Sequence, residues 1–112
     1  MQFNLDVGSA REPLMLSTDT SGSWSLATPI CFEDAVPSVT RSLCVDAGRT
    51  RVDAMINISN DGWFGTSDAG RAAHSVAAAF RAVELGRSLV RVANTGVTGL
   101  SLPDASSVGS LE

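Results

Sequence analysis

The chain has 112 residues, 44% apolar and 18% charged, with a formal net charge of −4 and a mean hydropathy of +0.15. This balance describes globular material rather than a disordered segment, and the acidic total argues against a general nucleic-acid-binding surface. All eight basic residues are scattered arginines, so any mechanism that needs a lysine must take it from sequence outside these 112 residues.

Residues 1–23 are weakly patterned. The polar run Ser17–Ser23 reads as a turn between two strands, Leu14–Leu16 and Trp24–Ala27. Pro29 then predicts an edge position or a strand break just before Cys31. From Glu33 to Ala47, Val36, Val39, Leu43 and Cys44 recur at helical spacing, with Pro37 in the first turn and Gly48 as the C-terminal cap. Residues 52–58 form a short apolar run that suits a buried strand, closed by the loop signal Ser59-Asn60-Asp61-Gly62.

A second helix is predicted from about Ala69 or Ala72 to Leu85, with Val76, Phe80 and Val83 on one side and a stop at Gly86. Leu89–Ala93 and Val97–Leu102 read as strands joined through Asn94-Thr95-Gly96, and the tail after Pro103 reads as turn. The order is β-β-α-β-α-β-β, an α/β layered sheet whose sites belong at the carboxyl ends of strands.

Cys31 and Cys44 make a weak case for a disulfide, since small disulfide scaffolds usually carry four or more cysteines. His74 is the single histidine, and no metal-ligand spacing accompanies it. No cofactor is called for. No stretch approaches the ~20 apolar residues of a membrane span, and the start, MQFNLDVGSAREP, lacks the layout of a signal peptide.

Chemistry concentrates at Ala27–Pro37. A cysteine on a tight strand-to-helix turn projects its sulfur over the end of the sheet, where backbone N–H groups of the following helix point at whatever the sulfur holds. Those groups stabilise an oxyanion, and the helix dipole favours a thiolate. The alternative for Cys31 is a small buried apolar residue, the commoner fate of a free cysteine. The loop Ser59–Gly65 opens on the same edge in a parallel arrangement; its polar residues and Trp63 fit a pocket wall or, equally, a tight turn with the aromatics folded back as core. His74 is a candidate base or, more commonly for a lone helical histidine, structural. Arg81 and Glu84 stand three apart, as an intrahelical pair does.

Four ordered motifs resemble the nitrilase (carbon–nitrogen hydrolase) superfamily: Ile30-Cys-Phe-Glu33, Ile56–Gly65, Phe80–Gly86 and Arg91–Gly96. More narrowly, Cys-aromatic-Glu followed by Ser-Asn-Asp-x-Trp-Phe looks like its apolipoprotein N-acyltransferase branch, with the resemblance covering about residues 26–104. It implies that residues 1–112 form part of a carbon–nitrogen hydrolase domain with an αββα sandwich fold. It also implies a Glu-Lys-Cys triad in which Cys31 is the nucleophile, Glu33 a supporting carboxylate and the Phe32 N–H an oxyanion donor. Asn60 and Trp63 would bind substrate.

The implied reaction carries a fatty acyl chain from a phospholipid, through a cysteine thioester, to the N-terminal cysteine of a lipoprotein, at the inner membrane with the catalytic domain facing the periplasm. Membrane attachment would come through parts outside this chain. The family's base and lysine precede the nucleophile by many tens of residues, so these 112 residues are expected to be inactive alone. A soluble amidase of the same superfamily and a catalytically incomplete sandwich remnant are the competing readings.

Overall fold

The computed structural model describes residues 8–20 and 22–111. The expectations for the first seven residues, the signal-peptide reading among them, fall outside that range, as does Ser21 in the first turn.

Strand β1 (Leu14–Thr18) pairs antiparallel with β2 (Gly22–Ala27), and β2 runs parallel to β5 (Ala54–Asn60). Pro29 therefore does not mark an edge strand. It interrupts an internal one: β2 stops at Ala27, and Ile30 makes a single parallel bridge to Ile58. A proline cannot donate to the ladder, so the chain leaves the sheet where the cysteine follows. Strands β6 (Leu89–Asn94), β7 (Thr98–Ser101) and β8 (Ser107–Leu111) complete a six-stranded sheet of order β1-β2-β5-β6-β7-β8. β5 and β6 are parallel; β6–β7 and β7–β8 are antiparallel. The tail read as turn thus supplies an edge strand.

The first helix also departs from expectation. A 3₁₀ turn spans Cys31–Ala35, and α1 runs only over Pro37–Cys44. Val45–Asp46 (β3) pairs with Arg49–Thr50 (β4) in a small hairpin. Its two turn residues, Ala47 and Gly48, have φ of 48° and 75°. Two successive left-handed residues make the tight hairpin turn that matches strand twist, so Gly48 serves a hairpin and not a helix cap. Helix α2 (Asp68–Leu85) opens with the Ser67 hydroxyl accepting from the Gly70 N–H and ends at Gly86, whose φ of 62° is the left-handed cap.

Both helices cover one face of the sheet. There Ala27, Cys44, Val52, Met55, Ala78, Ala82, Leu85 and Leu89 form the core. The small Ala78 and Ala82 let α2 approach the strands, and they leave Val76, Phe80 and Val83 exposed on its outer side. The other sheet face carries Leu14, Leu16, Trp24, Ile58, Val90, Val92 and Val108, all exposed. The register makes these one continuous apolar surface: Leu16 opposite Trp24, Ile58 beside Val92, Val90 opposite Leu100, and Leu100 opposite Val108. Among the described residues no helix is long and apolar enough to cross a membrane.

Candidate active site

β2, β5 and β6 end at one edge of the sheet. The segments that follow them bring together Cys31, the loop from Asn60 to Gly65, and the turn Asn94-Thr95-Gly96.

Cys31 opens the 3₁₀ turn with φ of 51°, a conformation that costs an L-residue about 1–2 kcal/mol. Strain of that size persists where neighbours impose it, and Asn57 does so. This residue is fully buried on β5, and its amide donates to the carbonyls of Pro29 and Cys31, both at 3.0 Å. Glu33 clamps the turn from outside: its carboxylate accepts from the Ile30 N–H at 2.8 Å, while its own N–H reaches the Ile30 carbonyl at 3.1 Å. The Glu33 carboxylate is therefore engaged in holding the elbow. Phe32, next along the turn, has its N–H among the first of the helical segment, which lack intrahelical partners.

Beneath the cysteine lies a cluster of buried charge that sequence reasoning missed. Asp34, Asp61, His74 and Arg91 are each at most 3% exposed, with the two aspartates at 0%. Arg91 donates to Asp34 Oδ2 at 3.0 Å and to Asp61 Oδ2 at 2.6 Å. His74 Nε2 lies 2.8 Å from Asp34 Oδ1. Its Nδ1 sits 3.0 Å from both Asp61 Oδ1 and Arg91 Nη2. Nδ1 therefore has a partner in either state, donating to Asp61 when protonated and accepting from Arg91 when not.

The two carboxyls respond in opposite directions. Burial pushes Asp34 above the ordinary carboxylate range, with Arg91 and His74 offsetting part of the shift. Asp61 is buried too, but hydrogen bonds from Ser59 and Arg91 outweigh that cost and hold it below the ordinary value. Ser59 links this cluster to Cys31: its Oγ is 2.7 Å from Asp61 Oδ1 and 3.6 Å from Cys31 Sγ.

Above the cysteine the aromatics are open. Phe32 and Trp63 are 52% and 62% exposed, their rings edge-to-face at 6.4 Å. Trp63 stacks on Phe64 at 3.9 Å, and Phe64 and Phe32 both flank the His74 ring. Trp63 is thus displayed, not folded back as core. Asn60 faces its own loop, where its Oδ1 accepts from the Gly62 N–H at 3.0 Å. Cys31 and Cys44 are both free thiols, and Cys44 is fully buried on the inward side of α1. Arg81 and Glu84 form the intrahelical pair, at 2.8 Å. Among the described residues no group of three or more His, Cys, Asp or Glu side chains is placed to hold a metal ion.

Of this cluster the sequence singled out His74 alone; Asp34, Asp61 and Arg91 were missed, and no local motif ties them together. The available signal was polar residues at alternate positions of apolar strands: Asn57 and Ser59 in β5, Arg91 in β6.

No family model matches the chain. Curated relatives do. Apolipoprotein N-acyltransferase of Shewanella oneidensis is 39% identical over 99 residues, which are 88% of this chain and 18% of that protein. Apolipoprotein N-acyltransferase 2 of Treponema pallidum is 42% identical over 83 residues, 74% of this chain and 14% of that protein. The Thermotoga maritima apolipoprotein N-acyltransferase is 41% identical over 75 residues, 67% of this chain and 14% of that protein. The chain thus spans about a sixth of the length of these relatives. Over most of its length it is homologous to apolipoprotein N-acyltransferases.

Proposed function

We propose that this chain carries the nucleophile of an acyltransferase, and that Cys31 receives a fatty acyl group from a phospholipid and passes it to the N-terminal amine of a lipoprotein. The observation that carries this reading is Cys31 itself, a free thiol on a positive-φ strand-to-helix turn at the carboxyl edge of the sheet. A nucleophile held on such a turn is exposed to substrate while its backbone is fixed.

In the first step a base takes the Cys31 proton, and the sulfur attacks the ester carbonyl. The C–S bond forms, the C–O bond breaks, and the lysophospholipid oxygen leaves with a proton. In the second step the amine attacks the thioester; the C–N bond forms, the C–S bond breaks, and the proton lost by the amine returns through the base to the Cys31 sulfur. The Phe32 N–H supports the oxyanion in both steps. Glu33 acts by holding the elbow, and Trp63 and Asn60 form the wall that meets the acyl donor. The glutamate base and the lysine of the triad belong to sequence outside these 112 residues, which contain no lysine, so the chain alone is inactive.

The exposed apolar sheet face is the surface on which the second sheet of an αββα sandwich packs; a patch of this kind on a monomer marks an interface. Membrane attachment likewise comes from the rest of the protein, with this domain facing the periplasm. The test is product analysis with the full-length protein, a phospholipid donor and a peptide bearing an N-terminal diacylglyceryl cysteine. The expected product is the N-acylated peptide, absent with Cys31→Ala. Release of free fatty acid without peptide acylation would make the protein a hydrolase, and N-acylation by Cys31→Ala would remove Cys31 from the reaction.

A further inference from the structure

Ser59 stands between two groups that make different demands on one hydroxyl. It is 5% exposed, with Asp61 Oδ1 at 2.7 Å and Cys31 Sγ at 3.6 Å. A hydroxyl has one proton and two lone pairs. A carboxylate at 2.7 Å is a strong, charge-assisted acceptor, and a sulfur at 3.6 Å is a weak one. Arg91 at 2.6 Å keeps Asp61 an anion. The Ser59 proton therefore goes to Asp61, and a lone pair is left facing the sulfur. The species that fits a lone pair is S–H, not S⁻.

We propose that Ser59 is a positioning residue for Cys31: with its proton committed to Asp61, it accepts the hydrogen bond of the Cys31 thiol and holds the protonated sulfur in one direction at the strand ends. This rests on Cys31 being the acyl-carrying nucleophile. Asn57 fixes the main chain of the elbow through the Cys31 carbonyl; Ser59 then fixes the remaining freedom, the side-chain torsion. Cys31 rests as a thiol until a base from elsewhere takes its proton.

When that proton leaves, the Ser59 hydroxyl turns to donate to the thiolate. Asp61 can release it, because Arg91 still donates to the same carboxylate. The buried cluster thus gives the hydroxyl two settings without stranding a carboxylate, which would otherwise be costly.

The S–H stretching band in the infrared reads this hydrogen bond directly. Subtracting the spectrum of Cys31→Ala isolates Cys31 from Cys44. In the native full chain the Cys31 band is expected at lower wavenumber than in the urea-unfolded chain. Ser59→Ala should move it up to the unfolded position, and Ser59→Thr, which keeps the hydroxyl, should leave it in place. A native band already at the unfolded position overturns the proposal, and so does a band that Ser59→Ala leaves unmoved, since a serine that donates to sulfur would leave S–H free. Should Ser59→Ala fail to fold, the native-versus-unfolded comparison still decides. The outcome is separable from the acyl-carrier reading: a shifted band with no acyl group ever found on Cys31 removes that reading and leaves the hydrogen bond standing.

Discussion

Replacing Arg91 with methionine keeps the length and apolar stem of the side chain and removes its charge from the buried cluster. Asp34 and Asp61 are then two fully buried carboxylates that share His74 as their one basic neighbour within the cluster. Removing one partner of a buried ion pair costs about 3–5 kcal/mol. A folded stretch of 112 residues is worth about 6–17 kcal/mol at ~0.05–0.15 kcal/mol per residue. The expected loss at pH 7 is therefore a large share of the total and lowers Tm by about 12–20 °C, at about 4 °C per kcal/mol for a chain of this size.

The pH dependence gives the sharper check. Asp34 has a folded value above its unfolded one, so its protonation favours the fold, and stability falls as pH rises through that raised value. Asp61 has a folded value below its unfolded one, so its contribution is present above about pH 4 and is lost as pH falls through the folded value. In Arg91→Met the stranded carboxylates are relieved as they protonate. The Tm gap between parent and variant should therefore narrow as pH falls from 7 toward about 4. Thermal melts followed by circular dichroism across that range provide the measurement. A Tm within about 2 °C of the parent at pH 7, less than 1 kcal/mol, would refute the account of the cluster; a gap that widens on acidification would refute the signs.

Asn57→Ala strips the Pro29 and Cys31 carbonyls of their buried donor, and urea unfolding should show a loss of about 2–6 kcal/mol, at roughly 1–3 for each of the two unsatisfied groups. A loss below about 1 kcal/mol, the net value of a single ordinary hydrogen bond, would mean that Asn57 does not hold the elbow. Because Cys31 has φ of 51°, Cys31→Gly should be more stable than Cys31→Ala by about 1 kcal/mol, the penalty an L-residue carries there; equal stabilities would deny the strain. Burial pushes the Cys44 thiol up to about 11, so an aromatic disulfide reagent at neutral pH should titrate one thiol in the folded chain and two after unfolding. Two fast thiols in the folded state would contradict its burial.

The strand-to-helix turn at Cys31, the loop after β5 and the end of α2 were legible because each is announced within a few residues: a proline before the cysteine, Asn-Asp-Gly after an apolar run, a glycine after a helical period. The β3–β4 hairpin was not, because the helical spacing of Val36, Val39, Leu43 and Cys44 runs up to its edge while the positive φ of Ala47 carries no residue signal of its own. The two apolar stripes of α2 share one periodicity. Only packing distance decides that the alanines face the sheet and that Phe80 faces out. The charged cluster was least legible. Asp34 and Arg91 meet at 3.0 Å across 57 positions of sequence, a contact that the order of the strands creates. The first turn of a helix explains Asp34 locally, and a turn explains Asp61, so nothing in either segment asks for a partner.

The central claim is that Cys31 carries the acyl group, and mass mapping of the acylated protein tests it most directly. The full-length protein is exposed to a phospholipid donor without acceptor, digested at mild acid pH, and its peptides weighed before and after neutral hydroxylamine. The account predicts one acyl adduct on the peptide that contains Cys31, cleaved by hydroxylamine as a thioester is, and absent from Cys31→Ala. An adduct on any other residue, or one that survives in Cys31→Ala, would contradict it.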